Sequence, residues 1–599
     1  MRTKLVSLFT LLIVAGMVLA ACTPAEEGAV VTVIVGGEVQ VVTATPGGEA
    51  PGPKVVTLTF GAPGDVSTLD PNLATDTSST TFVNATTIGL TWLKEADATL
   101  HPGMATSWDI SEDGLTYTFH LLEGIPWVRW DGEQVVQVMD CAETPAVRTV
   151  TAGDFEYSIK RALNPETASD YAYVLAFAIA GASEYNAGTG SVDDVAVHAV
   201  DPATLEITFL ADAAYNANIV GLWTAHAVPK WIIEGEEGCV DRRGDRWSEP
   251  GFHQSYGPFA LKEWTHDSTI TIVRNPFWPG TADIPVPALD EVVHLLALDD
   301  AATLAEYEAG NIDVAESFPA ADQDRILADP VLSQEYRSAP TLCTYYYGFN
   351  TNKEFVDDVR VRRALSMAID RQSLIDNVLK GGQEPAQWFA RPGLVAAPTM
   401  ADHPDLGIKF DAAAAQAELQ AYLDEKGITA DQVDITLMFN TSAGHQRIAE
   451  AIQQMWSDTL GITVALTNQE FAVFLDTIRD PVATPQIYRL GWCTDYPDAN
   501  NFTREVFAAG GSQNPNAPGP GGIGWFNQEF EDLIRQAAAE RDPAARVELY
   551  AQAEELLVNT DAAIIPIYWY TDLSLTKPYV IRSYPVTGHN DFTDWDIAQ

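Results

Sequence analysis

Residues 489–498, with the sequence RLGWCTDYPD, place a strand, a cysteine and a turn within one short segment. Leu490 and Trp492 fall on one face of the predicted strand, and the residues between and beside them fall on the other. The Tyr-Pro-Asp sequence that follows is typical of a turn, so the strand is expected to stop there. Asp495 therefore stands at a strand end, where side chains commonly face a cleft. Its alternative role is that of a simple turn former.

The chain is long and strongly acidic. It has 599 residues, which is more than one hydrophobic core usually accommodates, so we expect about two or three domains. Its 83 acidic and 34 basic residues give a formal net charge of -49. Such a surface repels polyanions, which argues against nucleic acid and anionic lipid as partners.

The N-terminus has the pattern of an export signal. A short basic start precedes an uncharged apolar run over residues 5–19, which is too short for a stable membrane span. The run ends in Leu-Ala-Ala-Cys, which resembles a bacterial lipobox and predicts removal of signal peptide 1–21 and lipidation of Cys22. The alternative is an ordinary signal peptide beside an incidental cysteine. Residues 22–53, punctuated by Gly and Pro, predict a flexible tether.

Four cysteines remain when Cys22 is set aside, namely Cys141, Cys239, Cys343 and Cys493. No two of them have CxxC spacing, which argues against a zinc site. An exported protein with an even number of cysteines is expected to form disulfides, and three pairings are possible. We expect no metal and no other cofactor, since the HExxH motif is also absent from the sequence.

Predicted strands and helices alternate through the body of the chain, which indicates an α/β fold. Val55–Gly61 alternates in the manner of a strand. Asp542 followed by Pro543 predicts a helix start, with an N-cap and a proline at the first helical position. Asp154 has the chemistry of an N-cap for a helix over 155–161.

Several short motifs, taken in order, resemble those of the family 5 solute-binding proteins of ABC importers, and most closely the oligopeptide-binding branch of that family. These motifs are Tyr256–Phe259, Arg274–Trp278, Leu342–Asn350, Asp358–Leu365 and Ile565–Tyr570. The similarity runs from about residue 54 to about residue 590. It implies a bilobed, periplasmic-binding-protein-like α/β fold of type II (cluster C) with an additional inserted domain.

The resemblance also implies how the chain divides. Lobe I would combine 54–104, 228–342 and 563–599, whereas an inserted domain II would span 105–227 and lobe III would span 343–562. A ligand would be enclosed between the lobes by hinge closure.

The resemblance places the ligand on the segment that ends in Asp495. This residue occupies the family position whose carboxylate binds the α-ammonium group of the ligand. Arg489 matches an arginine that binds a peptide carboxylate in some ligand lengths, although a structural role is an equal alternative because residues 480–486 depart from the family spacing. Backbone groups for an extended peptide would come from Gly491, Trp492 and Cys493. Trp492 is expected in the wall of the site, with a core position as its alternative.

The two cysteines on family motifs, Cys343 and Cys493, are implied by the resemblance to form a disulfide. The alternative is a pair of buried thiols. A second disulfide between Cys141 and Cys239 then follows from parity alone.

The resemblance implies a non-catalytic receptor, lipid-anchored on the outer face of the cytoplasmic membrane, in a periplasm or at the cell surface. It would act as a monomer that captures a peptide and delivers it to the permease subunits of an ABC importer. Within the family, the alternative ligands are an oligosaccharide, an opine-like compound or a metal chelate. A secreted hydrolase is the alternative of another class, and the sequence offers no catalytic motif for it.

Overall fold

The structure is a computed structural model that describes residues 52–59, 65–480, 482–519 and 521–598, and the backbone of two strands that precede them. These two strands, Val30–Val35 and Glu38–Thr43, form an antiparallel pair.

Some of the sequence-based predictions concern other parts of the chain. The signal peptide 1–21 and Cys22 lie outside the described residues, as does most of the tether 22–53. Within the part of the chain that the structure describes, no helix is both long and apolar enough to cross a membrane.

Residues 54–598 form one unit around a single mixed sheet. In spatial order its strands are Phe259–Thr265, Thr269–Arg274, Glu291–Leu295, Val55–Thr59, Val314–Ala315, Ile564–Thr576, Tyr336–Phe349, Ile487–Cys493, Ile435–Asn440 and Val464–Gln469. A short strand, Glu384–Pro385, also pairs with Ile564–Thr576. Pairing is parallel where Val55–Thr59 and Ile435–Asn440 meet their neighbours, and antiparallel elsewhere in this sheet.

Two long strands join the two ends of this sheet. Tyr336–Phe349 and Ile564–Thr576 pair with each other, and strands of predicted lobes I and III lie on opposite sides of them. The predicted boundary between residues 342 and 343 falls inside the first of these strands. The division into lobes therefore stays a prediction, in which continuous strands run from one lobe into the other.

A separate antiparallel sheet lies within the predicted inserted domain 105–227. Its strands, in spatial order, are Val197–Asp201, Thr204–Thr208, Thr116–Leu121 and Ala105–Ile110. Along Thr116–Leu121 half-buried and buried residues alternate, as expected for a sheet with one face on a core. Smaller two-stranded pairs are Thr91–Lys94 with Thr99–Pro102, Val128–Trp130 with Val135–Gln137, and Val580–Ile581 with Asp596–Ile597.

Helices complete the α/β fold. The longer ones are Thr77–Thr86, Ala152–Leu163, Ala172–Ala178, Asp300–Ala309, Val359–Met367, Ala412–Lys426, Ala443–Leu460, Phe471–Arg479, Ala499–Phe507, Gln528–Ala539 and Pro543–Glu555. Shorter ones are Ala182–Asn186, Asn216–Ile219, Lys230–Ile233, Gln323–Ala328, Leu332–Glu335 and Arg371–Leu374.

The two predicted helix starts have different outcomes. Asp542 is the N-cap of Pro543–Glu555, and its side chain accepts a hydrogen bond from the amide of Ala545. The prediction for Asp154 is wrong, because Thr151 is the N-cap and the helix begins at Ala152. Asp154 is the third helical residue, and its carboxylate accepts bonds from the backbone N–H and the hydroxyl of Thr151 at 2.8 and 3.0 Å. Asp154 is thus the third residue of a capping box, and the helix begins three residues before its predicted start at residue 155.

Three consecutive tyrosines of strand Tyr336–Phe349 show that this strand is buried on both faces. Tyr345 stacks on Tyr568, with ring centroids 4.7 Å apart, while Tyr346 points to the opposite face and packs on Phe389 at 5.0 Å. All three tyrosines are almost fully buried. The strand beside them, which carries Asp495 just beyond its end, therefore rests on a rigid support.

Candidate ligand-binding site

Strand Ile487–Cys493 has one edge that is only partly paired. On one side it pairs along its whole length with Tyr336–Phe349. On the other side only Ile487 and Tyr488 have partners, on strand Ile435–Asn440. From residue 489 to residue 493, no strand of the described residues covers that second edge. Its backbone N–H and C=O groups are therefore able to pair with an extended chain from outside.

The Cys343–Cys493 disulfide holds the end of this strand. The two cysteines are directly opposite each other in the ladder and are bonded, as the resemblance implied. Cys141 and Cys239 form the second disulfide. Gly588 passes close to the first disulfide, since a Cβ atom at that glycine would lie 3.5 Å from the Cys493 sulfur. The C-terminal segment is thereby brought beside the strand end.

Asp495 lies just beyond the strand, half-buried, and is held by uncharged groups. Its Oδ2 accepts a hydrogen bond from Asn501 Nδ2 at 2.9 Å, and its backbone N–H donates to Asn501 Oδ1 at 3.0 Å. The hydroxyl of Tyr171, from the predicted inserted domain, donates to Oδ1 at 3.5 Å. No basic side chain of the described residues lies within 4.0 Å of this carboxylate. Asp495 is thus a carboxyl group without a cationic partner among the described residues.

The environment of Asp495 changes its titration. Burial raises the pKa of the carboxyl group to about 7, while the hydrogen bonds from Asn501 and Tyr171 act in the opposite direction. An ammonium group placed beside it would favour the ionised form and so lower this pKa.

Asp495 lines a cavity of about 50 Å³ together with residues from distant parts of the chain. Two further carboxyl groups, those of Glu95 and Asp591, line the same cavity. Burial raises the pKa of Glu95 to about 8 and that of Asp591 to about 6, whereas burial lowers the pKa of His589 to about 4. At pH 7 His589 is therefore neutral, and Glu95 is mostly protonated. Sequence reasoning missed these three residues, because no motif or spacing connects them with Asp495.

Arg489, the other charged residue predicted for the site, does not line the cavity beside Asp495. Its side chain is buried, and Nη1 donates to Asn440 Oδ1 at 3.0 Å while Nη2 donates to the hydroxyl of Tyr570 at 2.6 Å. The guanidinium also lies over the ring of Tyr345, 4.4 Å from its centroid. No carboxylate of the described residues lies within 4.0 Å of it. Five residues separate Arg489 from Asp495 in the sequence, and the strand includes the first four of them before it ends at Cys493.

The remaining residues predicted for the site are Gly491, Trp492 and Cys493. None of the three lines the cavity beside Asp495. Trp492 is buried, and its indole N–H donates to Asn501 Oδ1 at 3.0 Å, so it positions the same asparagine that holds Asp495. A Cβ atom at Gly491 would lie 2.7 Å from the hydroxyl oxygen of Tyr570 and 3.4 Å from Arg489 Nη2. A side chain at this position would therefore displace the hydroxyl of Tyr570, to which Arg489 donates.

The described residues contain no group of three or more His, Cys, Asp or Glu side chains arranged to hold a metal ion.

Comparison with known proteins identifies the family. The family model for bacterial extracellular solute-binding proteins, family 5 (middle), matches residues 99–514. The chain belongs to this family. Among its curated relatives is the oligopeptide-binding protein OppA of Bacillus subtilis, which is 31% identical over 578 residues and covered to 94% in both chains. Members of the family are substrate-binding proteins of ABC transporters and not enzymes.

Solved structures confirm the bilobed type II fold. The murein tripeptide binding protein MppA of Escherichia coli superimposes with a TM-score of 0.78 at 27% identity, covering 91% of this chain and 99% of that one. The unliganded open form of MppA, at the same 27% identity and with 91% and 97% covered, gives a TM-score of only 0.61. Because the sequence match is the same, the lower score reflects a different arrangement of the lobes. The family 5 solute-binding protein described here thus differs from that open form.

Proposed function

We propose that this protein captures peptides between its lobes for uptake by an ABC importer. The observation that carries the proposal is Asp495, a half-buried carboxylate on a cavity wall with no basic group of the described residues within 4.0 Å. It stands at the end of the partly unpaired strand edge over residues 489–493. A peptide offers what both features lack, namely an ammonium group and an extended backbone.

The pairing of Asp495 with the ammonium group of the peptide supplies affinity. A carboxylate that is largely withdrawn from water pairs strongly with an ammonium ion, and loss of one partner from such a pair costs about 2–5 kcal/mol. Asn501 and Tyr171 hold the carboxylate in position before the ligand arrives. Little reorganisation is then required on binding.

The strand edge supplies tolerance of ligand sequence. Backbone hydrogen bonds to residues such as Gly491 and Cys493 do not depend on the side chains of the ligand. A receptor built in this way binds many peptides of similar length.

Arg489 is the proposed partner of the ligand's carboxylate. It is buried beside Tyr345, Tyr570 and Asn440, and no carboxylate of the described residues lies within 4.0 Å of it. A guanidinium fork suits a carboxylate. A peptide that pairs its ammonium group with Asp495 and its carboxylate with Arg489 would lie along the strand edge between these two residues.

The cell biology of the proposal follows from the N-terminal sequence. Export by signal peptide 1–21, lipidation of Cys22 and a tether over residues 22–53 would hold the monomeric receptor at the outer face of the cytoplasmic membrane, next to a permease. Replacement of Cys22 by serine should release the protein from the membrane fraction and abolish labelling by a fatty-acid probe. If Cys22→Ser stays in the membrane fraction and is still labelled by the fatty-acid probe, the proposal that Cys22 carries the lipid anchor is refuted.

Calorimetry with a defined peptide tests the cargo. Trialanine, tetra-alanine and penta-alanine are titrated into the protein, each as the free peptide and as its N-acetyl derivative. At least one free peptide should bind, and both N-acetylation and Asp495→Asn should weaken binding by about 30-fold or more, the equivalent of the lower bound for a broken desolvated pair.

A matched control is Asp572→Asn, at another half-buried carboxyl group whose pKa is raised by burial and which does not line the cavity. This variant should bind the peptide as the wild type does. Equal binding of free and acetylated peptides would refute the ammonium site. Binding of an oligosaccharide, an opine-like compound or a metal chelate, without any binding of peptides, would assign the protein to another cargo within the same family.

A further inference from the structure

Two exposed ion pairs connect the predicted inserted domain with the predicted lobe III. Arg479 pairs with Asp170, and Arg541 pairs with Asp212. We call these the rim ion pairs. In both cases the cation belongs to lobe III and the carboxylate to the inserted domain.

The first rim ion pair, Arg479 with Asp170, lies beside Asp495, the proposed partner of the ligand's ammonium group. Asp170 directly precedes Tyr171, whose hydroxyl reaches Asp495, and Arg479 is the last residue of helix Phe471–Arg479. The side chain of Asp170 is 53% exposed and that of Arg479 is 24% exposed. This pair therefore lies at the edge of the site, where the contact between the two segments meets solvent.

The second rim ion pair is more exposed and has a well-defined acidic partner. Asp212 packs over the turn at Gly114, because a Cβ atom at that glycine would lie 2.3 Å from the Asp212 Cγ. Arg541, 82% exposed, lies between helices Gln528–Ala539 and Pro543–Glu555. An ion pair between two such positions requires the lobe and the inserted domain to be in contact.

Ring contacts also join the predicted inserted domain to the predicted lobe III. The guanidinium of Arg504 lies 3.3 Å from the ring centroid of Phe177, and the rings of Tyr215 and Tyr496 are 5.6 Å apart. Tyr215 and Tyr496 are buried, whereas Phe177 and Arg504 are half-buried.

We propose that Arg479 and Arg541 are positioning residues that hold the inserted domain against lobe III and so keep the cleft closed over a bound ligand. The net charge of -49 means that acidic surfaces repel each other as the cleft closes. Each rim ion pair replaces one such repulsion by an attraction, and it forms only in the closed arrangement. The proposal rests on the proposed function only for the choice of the peptide that reports on closure.

The size of the effect follows from the population of the closed state. If only the closed arrangement holds the ligand fully, the apparent Kd rises in proportion as the closed fraction falls. Exposed ion pairs correspond to about 1.5- to 5-fold each. Loss of both should therefore weaken binding by about 2- to 25-fold, mainly through faster dissociation.

The test compares Arg479→Gln, Arg541→Gln and the double variant with wild type, by stopped-flow kinetics of a bound peptide. The charge swap, Asp212→Arg combined with Arg541→Asp, separates pairing from simple loss of a cation. The matched control is Arg535→Gln, an exposed arginine whose partner Asp532 is on the same helix. We expect faster dissociation in the glutamine variants, restoration by the charge swap, and no change in the control.

Several outcomes would overturn the proposal: unchanged dissociation in the double variant, no restoration by the charge swap, or an equal effect of Arg535→Gln. Small-angle X-ray scattering of the ligand-free wild type and of the double variant gives a readout that needs no ligand. The double variant should have the larger radius of gyration, and equal radii would also refute the role in closure. If the wild type binds no peptide, the proposed function fails, while the scattering comparison still decides this inference.

Discussion

Acidification from pH 8 to pH 5 should weaken peptide binding by roughly two orders of magnitude. Burial raises the pKa of Asp495 in the ligand-free protein to about 7. Only the ionised carboxylate attracts an ammonium ion, so a proton on Asp495 competes with the ligand. The affinity should therefore be greatest where the carboxyl group is ionised before binding, and it should fall as the pH falls through 7.

The magnitude follows from the titration of a single group. With a pKa of about 7, the ionised fraction of Asp495 is about nine tenths at pH 8, one half at pH 7, one tenth at pH 6 and one hundredth at pH 5. If the protonated form does not bind, the apparent Kd rises by the inverse of these fractions. Above about pH 8 the peptide's own α-amino group loses its proton, so affinity should decline again.

Calorimetry measures both the affinity and the proton that is displaced. Titrations at each pH in two buffers of different ionisation enthalpy give the number of protons released, about one half at pH 7 if Asp495 acts alone. Glu95 and Asp591 titrate in the same cavity, so the variant Asp495→Asn is the necessary control. Its residual affinity should vary much less than that of the wild type between pH 5 and pH 8, and the slope that remains reports Glu95 and Asp591. A flat wild-type profile, or an equally steep profile in the variant, would refute the reasoning.

Two further predictions concern stability. Burial raises the pKa of Glu505 from 4.5 to about 8, so the stability that its protonated form contributes is fully present below pH 4.5 and is lost progressively as the pH rises from 4.5 to 8. Glu505→Gln stays neutral, so its melting temperature relative to wild type should rise steadily between pH 4.5 and pH 8 and level off above pH 8. A melting-temperature difference that does not change with pH would contradict this. Replacing Cys343 and Cys493 by serine removes a cross-link over 150 residues and should lower the free energy of unfolding, measured in denaturant, by about 4–5 kcal/mol. The same change at Cys141 and Cys239, which are 98 residues apart, should lower it by only slightly less. A loss below about 1 kcal/mol would show that the disulfide does not restrict the unfolded chain as the chain-entropy argument requires.

Local patterns in the sequence predict local structure well in this chain. The alternation before Cys493 and the turn chemistry after it predict the end of strand Ile487–Cys493, and the structure ends the strand at that residue. The Asp542 cap was also predicted, because Asp followed by Pro is a signal confined to two positions. Asp154 was misplaced because aspartate is suitable both as an N-cap and as the third residue of a capping box.

Features that depend on the order of strands in the sheet were not accessible from the sequence. Strand Ile435–Asn440 covers only Ile487 and Tyr488 and leaves the rest of the edge of strand Ile487–Cys493 open. This depends on the register between two strands that are about fifty residues apart in the sequence. Glu95 and Asp591 approach Asp495 because the two ends of the chain fold beside the same strand end. No periodicity encodes such a meeting, so the acidic lining of the cavity had no signal in the sequence.

The surroundings of Asp495 and Arg489 support the proposal that both residues bind the ligand. Asp495 is held by an amide and a phenol, and Arg489 by an amide, a phenol and an aromatic face, so each is oriented without being neutralised. A charge that is withdrawn from water and lacks an opposite partner destabilises the protein that contains it. The two lie at opposite ends of one open strand edge, with opposite signs. A single extended ligand with an ammonium group at one end and a carboxylate at the other would relieve both penalties at once, whereas an uncharged ligand of the same length would relieve neither.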